Sequence, residues 1–124
     1  MATHTLMANI NKYFRYARQV ATKGDTHEVK RQYRLAAVGI RTDGAIVASS
    51  NVPHRTPEPR AHAEARLVRK LDWGSTVYVV RIKSDGTLAT ARPCKKCISA
   101  MRLKGVRQCY YSMSETEWGV LNLC

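Results

Sequence analysis

The order in which helical and extended patterns alternate along the chain constrains its fold more than any other feature. Apolar side chains recur at helical spacing in three segments, whereas runs rich in Val, Ile and Tyr indicate strands. We predict helices at residues 7–21, 61–71 and 94–104, strands at residues 33–40, 45–50, 75–83 and 106–112, and a short extended piece at residues 88–91. Asp43-Gly44, between the first two strands, is a strong hairpin signal. Residues 117–123 suit either a short helix or a strand that forms a hairpin with its predecessor.

This alternation predicts an α/β fold in which helices cover a sheet. Each strand-helix-strand unit should make a right-handed crossover between parallel strands. The length of 124 residues and the hydrophobic content of 44% suit a single domain over residues 1–124, with a core that needs no disulfides. The sequence shows neither a secretory signal nor an apolar run of membrane length, so we expect a cytoplasmic protein without a membrane partner.

The charge balance bears on the partners of the protein. The chain has 21 basic and 9 acidic residues, which gives a formal net charge of +12. Such an excess favours a phosphate-bearing ligand, either a nucleotide or a nucleic acid. The charges are spread along the chain instead of forming a Lys/Arg block, so an ordinary basic surface explains them equally well.

Two cysteines in the predicted third helix are the first candidates for chemistry. Cys94 and Cys97, in the motif Pro93-Cys94-Lys95-Lys96-Cys97, lie at positions i and i+3, which share one helix face and can bind one metal ion. The helix dipole and the neighbouring lysines favour their thiolate forms. Taken alone, the pair also fits a thioredoxin-like redox site or a structural zinc site.

The motif His62-Ala63-Glu64 at the start of the second predicted helix changes this interpretation. His62 together with the two cysteines makes a set of three zinc ligands, which leaves the fourth position open to water, as in catalytic zinc sites. Zinc lowers the pKa of that water toward neutrality. Glu64 is placed to accept the water proton, although stabilising the helix N-terminus is a common alternative role for such a carboxylate. We therefore predict Zn²⁺ as the cofactor and Glu64 as the catalytic acid and base.

The paired motifs, separated by one predicted strand, resemble those of the zinc deaminases that act on cytosine and adenine. The chain is similar to the cytidine deaminase-like superfamily over nearly its whole length. The resemblance implies a three-layer fold: a mixed sheet of about five strands in the order 2-1-3-4-5, helices on both faces, and zinc between the N-termini of two motif helices on one face. It also implies that Asn51 and the backbone N–H of Ala63 contact the substrate. Asn51 has an alternative interpretation as a turn residue before Pro53.

The activity that the resemblance implies is hydrolytic deamination. Water activated by zinc attacks the amino-bearing carbon of the base, and Glu64 passes protons to the adjacent ring nitrogen and to the departing ammonia. We expect a (deoxy)cytidine nucleoside or nucleotide as substrate, because a tail that pairs antiparallel goes with the cytidine deaminase branch. His62 and Pro53 depart from the pattern of free-cytidine deaminases, and relatives that edit single-stranded DNA or RNA share the motifs of this chain. A deaminase of polynucleotides therefore stays open, as does a non-catalytic zinc module that binds nucleic acid. Relatives are often dimers or larger, so we expect a homo-oligomer.

Overall fold

The computed structural model describes residues 2–23, 33–50, 63–83 and 85–123. The elements follow the predicted order: α1 (Ala2–Lys23), β1 (Tyr33–Ile40), β2 (Ile46–Ser50), α2 (Ala63–Val68), β3 (Thr76–Lys83), β4 (Leu88–Ala89), α3 (Lys95–Lys104), β5 (Gln108–Ser112) and β6 (Trp118–Asn122). Within the described part of the chain, no helix is long and apolar enough to cross a membrane.

The strands form one mixed sheet. Its order is β2-β1-β3-β5-β6, and the two-residue strand β4 pairs with β3 beside this path. β1 is antiparallel to β2 and β3, β3 is parallel to β5, and β5 is antiparallel to β6. When β4 is set aside, this is the predicted order 2-1-3-4-5, which is confirmed. The ambiguous tail is a strand, and it forms the antiparallel hairpin with its predecessor.

The helices lie on both faces of the sheet. On one face, α1 buries Ala17 against Val80 of β3. On the other face, Leu67 of α2 and Met101 of α3 pack with Val79. Val79 and Val80 point to opposite faces because side chains alternate along a strand, and both are fully buried. The predicted three-layer α/β fold is therefore confirmed.

A row of aromatic rings fills the α1 face of the sheet. Tyr13 of α1 lies 4.9 Å from Tyr78, Tyr78 stacks on Tyr110 at 5.1 Å, and Tyr110 meets Trp118 edge-on at 5.7 Å, all between ring centroids. Burial raises the pKa of Tyr78 to about 12, because a buried phenol resists becoming charged. The row links the first helix to the last strand across the sheet.

The helix α2 is shorter than predicted at its carboxyl end. The prediction extended to residue 71, but the backbone N–H of Lys70 donates to the carbonyl of Leu67 at 2.8 Å, a three-residue turn that ends the helix. Leu71 follows the turn and is nevertheless buried. Its apolar side chain continued the helical pattern because the core needs it, although the backbone there is no longer helical.

The carboxyl ends of α2 and α3 meet at the end of the sheet where β3 and β5 begin. The N–H of Gly74, just after α2, donates to the carbonyl of Gly105, just after α3, at 2.7 Å. Asp72 accepts hydrogen bonds from the Ser75 hydroxyl at 2.6 Å and from the Thr42 N–H at 3.1 Å, which ties the end of α2 to the β1–β2 turn. The two helices therefore run side by side in the same direction, and both begin at the opposite end of the sheet.

Candidate active site

The starts of α2 and α3 lie at the end of the sheet where β3 and β5 end. The N–H of Ala91, in the segment that leads into α3, donates to the carbonyl of Ser112 at the end of β5, at 2.8 Å. Cys94 follows as the N-cap residue of α3, with φ −71° and ψ 167°. Ala63 is the first residue of α2. The fold thus brings the starts of both motif helices to the same end of the sheet, as the sequence predicts.

The structure brings the two predicted cysteine ligands together. The Sγ atoms of Cys94 and Cys97 are 3.4 Å apart. Cys94 is exposed, whereas Cys97 is buried, so the pair has one side toward solvent and one toward the protein. Two sulfurs bound to one tetrahedral zinc ion at about 2.3 Å each lie about 3.8 Å apart. The observed separation is within a few tenths of an ångström of that value, so this donor pair fits a zinc ion.

The local helix geometry explains why the cysteines converge. The carbonyl of Cys94 accepts the N–H of Ile98 at 2.9 Å, which closes the first turn of α3 around the pair. A Pro residue fixes its own φ at about −65° and favours extended backbone at the residue before it. Pro93 supplies that restriction, and Cys97 one turn later then lies on the same helix face as Cys94.

The surroundings of the two thiols are positively charged. The first turn of α3 contains no acidic residue, and Lys95 and Lys96 are exposed there. The positive end of the helix dipole points to the same place. Both features favour negatively charged groups at this end of α3.

An arginine–tyrosine pair borders the site, and sequence reasoning gave this pairing no role. The Arg92 guanidinium donates to the Tyr111 hydroxyl at 3.3 Å, and its Cζ lies 5.9 Å from the centre of the ring. The ring in turn covers Gly119 of β6, where any side chain would collide with it. The sequence alone shows Arg92 only as a positive charge close to Cys94. Its partner lies 19 residues away, and a contact of that kind leaves no spacing signal.

Several predicted site residues fall outside the described residues. His62 and Asn51 lie in the segment 51–62, and the side chain of Glu64 is likewise not described. Over residues 2–23, 33–50, 63–83 and 85–123, no three His, Cys, Asp or Glu side chains form a metal-binding group. All three zinc ligands and the catalytic carboxylate therefore stay predictions, although the backbone of Glu64 belongs to the first turn of α2.

Comparison with known proteins agrees with this arrangement. The family model for the cytidine and deoxycytidylate deaminase zinc-binding region matches residues 7–113. The fold is similar to that of a cytidine deaminase from Burkholderia pseudomallei, with a TM-score of 0.57 and 13% identity over 88% of this chain and 91% of that chain. A cytidine deaminase from Mycobacterium leprae gives a TM-score of 0.49 and 14% identity over 89% and 92%. The comparison with curated proteins finds no significant match.

Proposed function

Because the chain belongs to the family defined by the cytidine and deoxycytidylate deaminase zinc-binding region, we propose that it is a zinc-dependent hydrolase that converts cytosine to uracil in a (deoxy)cytidine nucleoside or nucleotide. The observation that carries the proposal is the Cys94–Cys97 pair at the start of α3, at the same end of the sheet as the start of α2. Water and cytosine are consumed, and uracil and ammonia are released.

The proposed roles of the residues follow from the two sequence motifs. His62, Cys94 and Cys97 would hold the zinc ion, which supplies an activated water when bound. Glu64 accepts the proton of that water and delivers protons to the ring nitrogen and to the leaving amino group. The N–H of Ala63 and the side chain of Asn51 orient the base. Glu64 is the group proposed to move protons, since His62, Cys94 and Cys97 are assigned to the zinc ion and Glu64 is not.

The cations around Cys94 favour a substrate that carries phosphate. Arg92, Lys95 and Lys96 are exposed beside the thiols, and the contact with Tyr111 orients the Arg92 guanidinium in advance. A guanidinium held in this way loses little freedom when it binds a phosphate. Among the substrates of this class, we therefore favour a cytosine nucleotide over a neutral nucleoside.

The same cations, with the net charge of +12, support a second candidate function, deamination of cytosine or adenine in single-stranded DNA or RNA. A non-catalytic zinc module that binds nucleic acid is the third candidate. It leaves Glu64 with no role beyond stabilising the N-terminus of α2, because a structural zinc site has no use for an acid–base carboxylate.

A substrate panel with one variant and one control tests the activity. Ammonia release is measured with cytidine, deoxycytidine, their monophosphates, adenosine and single-stranded oligonucleotides. Glu64→Gln should retain zinc and lose activity by at least about a hundredfold, which is the usual contribution of a general acid–base residue. Asp43→Asn is the matched control, because it removes a carboxylate from the exposed β1–β2 turn and keeps a good turn sequence. Wild-type turnover by Glu64→Gln with zinc bound would refute the mechanism.

A pair of arginine variants tests the substrate class. Arg92 and Arg102 are both exposed and stand at opposite ends of α3. Arg92→Ala should raise the KM for deoxycytidine monophosphate and leave the KM for deoxycytidine unchanged, whereas Arg102→Ala should change neither. An equal effect of Arg92→Ala on both substrates would exclude a phosphate contact. Turnover of oligonucleotides alone, with a steep salt dependence, would instead identify the polynucleotide enzyme.

A further inference from the structure

The last strand, β6, forms one outer edge of the sheet. Its five residues, Trp118–Asn122, include no charged residue and no proline. Those residue types are the usual means by which proteins prevent edge strands from pairing with other chains. In the part of the chain that the structure describes, β6 pairs with β5 alone.

The register of the β5–β6 hairpin shows which backbone groups face outward. The N–H of Met113 donates to the carbonyl of Glu117 at 2.9 Å, and the N–H of Leu123 donates to the carbonyl of Arg107 at 3.0 Å. Hydrogen-bonded and non-bonded pairs alternate along an antiparallel ladder. The odd-numbered residues of β6 therefore bond to β5. The remaining three residues direct their N–H and C=O groups to the outer side: Trp118, Val120 and Asn122.

We propose that the outer edge of β6 pairs antiparallel with β6 of a second copy of this chain, about a two-fold axis at Val120. In this register Val120 faces Val120 of the second copy, and Trp118 of each copy faces Asn122 of the other. Every outward N–H then meets an outward carbonyl, because the three residues are spaced symmetrically about Val120. The sheet would run without interruption through both copies.

The side chains near this edge favour a second copy over an unrelated strand. Val120 is 39% exposed, and pairing would cover part of this apolar side chain. Glu117 would lie opposite Leu123 of the second copy, whose neighbour on β5 is Arg107. Glu117 and Arg107 project to the same face of the sheet, so two symmetric Glu–Arg pairs would flank an uncharged centre.

These opposite charges cannot pair within one chain. Glu117 lies at one end of the β5–β6 hairpin and Arg107 at the other. The separation along the ladder is six residues, which is about 20 Å at the usual rise per residue. The charge complementarity therefore exists only between two copies.

Sedimentation equilibrium over a range of protein and salt concentrations tests the pairing directly. The wild-type protein should associate reversibly to a dimer, more tightly at higher salt, because screening reduces the repulsion between two molecules of charge +12. Val120→Lys should raise the Kd at least about tenfold, since it places two like charges in contact across the axis. Val120→Thr, which keeps a β-branched side chain, should leave the dimer intact. Circular dichroism checks that both variants fold.

A charge exchange tests the register. Glu117→Lys and Arg107→Glu should each weaken the dimer by roughly twofold to thirtyfold, because each removes two exposed ion pairs. The double variant should restore most of the affinity. Arg107→Glu is the sharper single test: it lowers the net charge from +12 to +10, which by itself would strengthen association. A monomeric wild type at every concentration and salt, a dimer unaffected by Val120→Lys, or a double variant without recovery would each overturn the proposal.

Discussion

Gly105 ends α3 at the point where the two motif helices meet, and its replacement by alanine should be costly for two separate reasons. Its backbone is left-handed, with φ 85° and ψ 24°, and its N–H donates to the carbonyl of Arg102 at 3.0 Å. The Trp73 ring covers the position that a Cβ would occupy, with its Cζ3 only 2.9 Å away. Gly44 is the matched control, because its φ is 88° and nothing lies within 4 Å of its Cβ position.

The two variants separate the backbone cost from the packing cost. A left-handed conformation costs a residue with a side chain about 1 kcal/mol relative to glycine, and this is all that Gly44→Ala should lose. Gly105→Ala must also displace the Trp73 ring. Trp73 is 76% exposed and can turn toward solvent, so the added loss is the burial of about 40 Å² of apolar surface, or about 1 kcal/mol. We expect a total loss of about 2 kcal/mol for Gly105→Ala.

Thermal unfolding measures the difference. Gly44→Ala should lower the Tm by about 4 °C and Gly105→Ala by about 8 °C, given the usual entropy of unfolding for a domain of this size. The zinc content of both variants should equal that of the wild type, because Gly105 and Cys94 lie at opposite ends of α3. If Gly105→Ala costs no more than Gly44→Ala, the contact between Trp73 and Gly105 does not contribute to stability.

Two further predictions use buried cysteines and a surface carboxylate. Cys97→Ala should abolish zinc binding, whereas Cys109→Ala, at a fully buried position in the core, should keep zinc and cost about 1–2 kcal/mol of unfolding free energy; elemental analysis and urea unfolding distinguish them, and equal zinc contents would exclude Cys97 as a ligand. Hydrogen bonds from Ser75 and Thr42 lower the pKa of Asp72 from 3.8 to about 2. The ionised carboxylate therefore stabilises the fold fully above about pH 4, and this contribution is lost as the pH falls toward 2. The difference in unfolding free energy between wild type and Asp72→Asn should shrink over that range, and a difference independent of pH would contradict this account.

The layers of the fold could be predicted because local patterns encode burial. The strand at residues 33–40 was placed with the bounds that the structure gives. The carboxyl end of α2 was predicted three residues too late. A residue such as Leu71 has an apolar side chain because the core needs one there, whether or not its backbone is helical, so periodicity alone extends the helix too far.

The tail could not be assigned from its own residues because its structure depends on β5. Residues 118–122 form a strand through their pairing with residues 108–112. Gly119, which has little intrinsic preference for a strand, fits there because the Tyr111 ring occupies the space above it. Such a contact between neighbouring strands is invisible in a local pattern.

The candidate site shows the same difference between local patterns, which can be predicted, and contacts between distant residues, which cannot. Cys94 and Cys97 could be paired from sequence because the helix fixes the relation between positions i and i+3, and the structure places their sulfurs 3.4 Å apart. The association of Arg92 with Tyr111 could not be foreseen, because it depends on how α3 and β5 are placed against each other. Motifs therefore indicate the reaction more clearly than the substrate. The relation between Cys94 and Cys97 is set by short-range spacing, whereas a contact such as that between Arg92 and Tyr111 joins separate parts of the fold.

The contacts that hold α2 and α3 together lie at the opposite end of these helices from the candidate site. At the carboxyl ends of α2 and α3, the hydrogen bonds of Asp72 and the Gly74–Gly105 contact hold the helices to each other and to the β1–β2 turn. At the amino end of α3 lie the thiols and the cations, where the backbone N–H groups point outward and the helix dipole favours anions. Because the junction fixes the carboxyl ends, the relative position of the amino ends depends on helix length and packing through Leu67 and Met101. The contacts at one end of the sheet thus set the frame in which the amino ends of α2 and α3 lie at the other end.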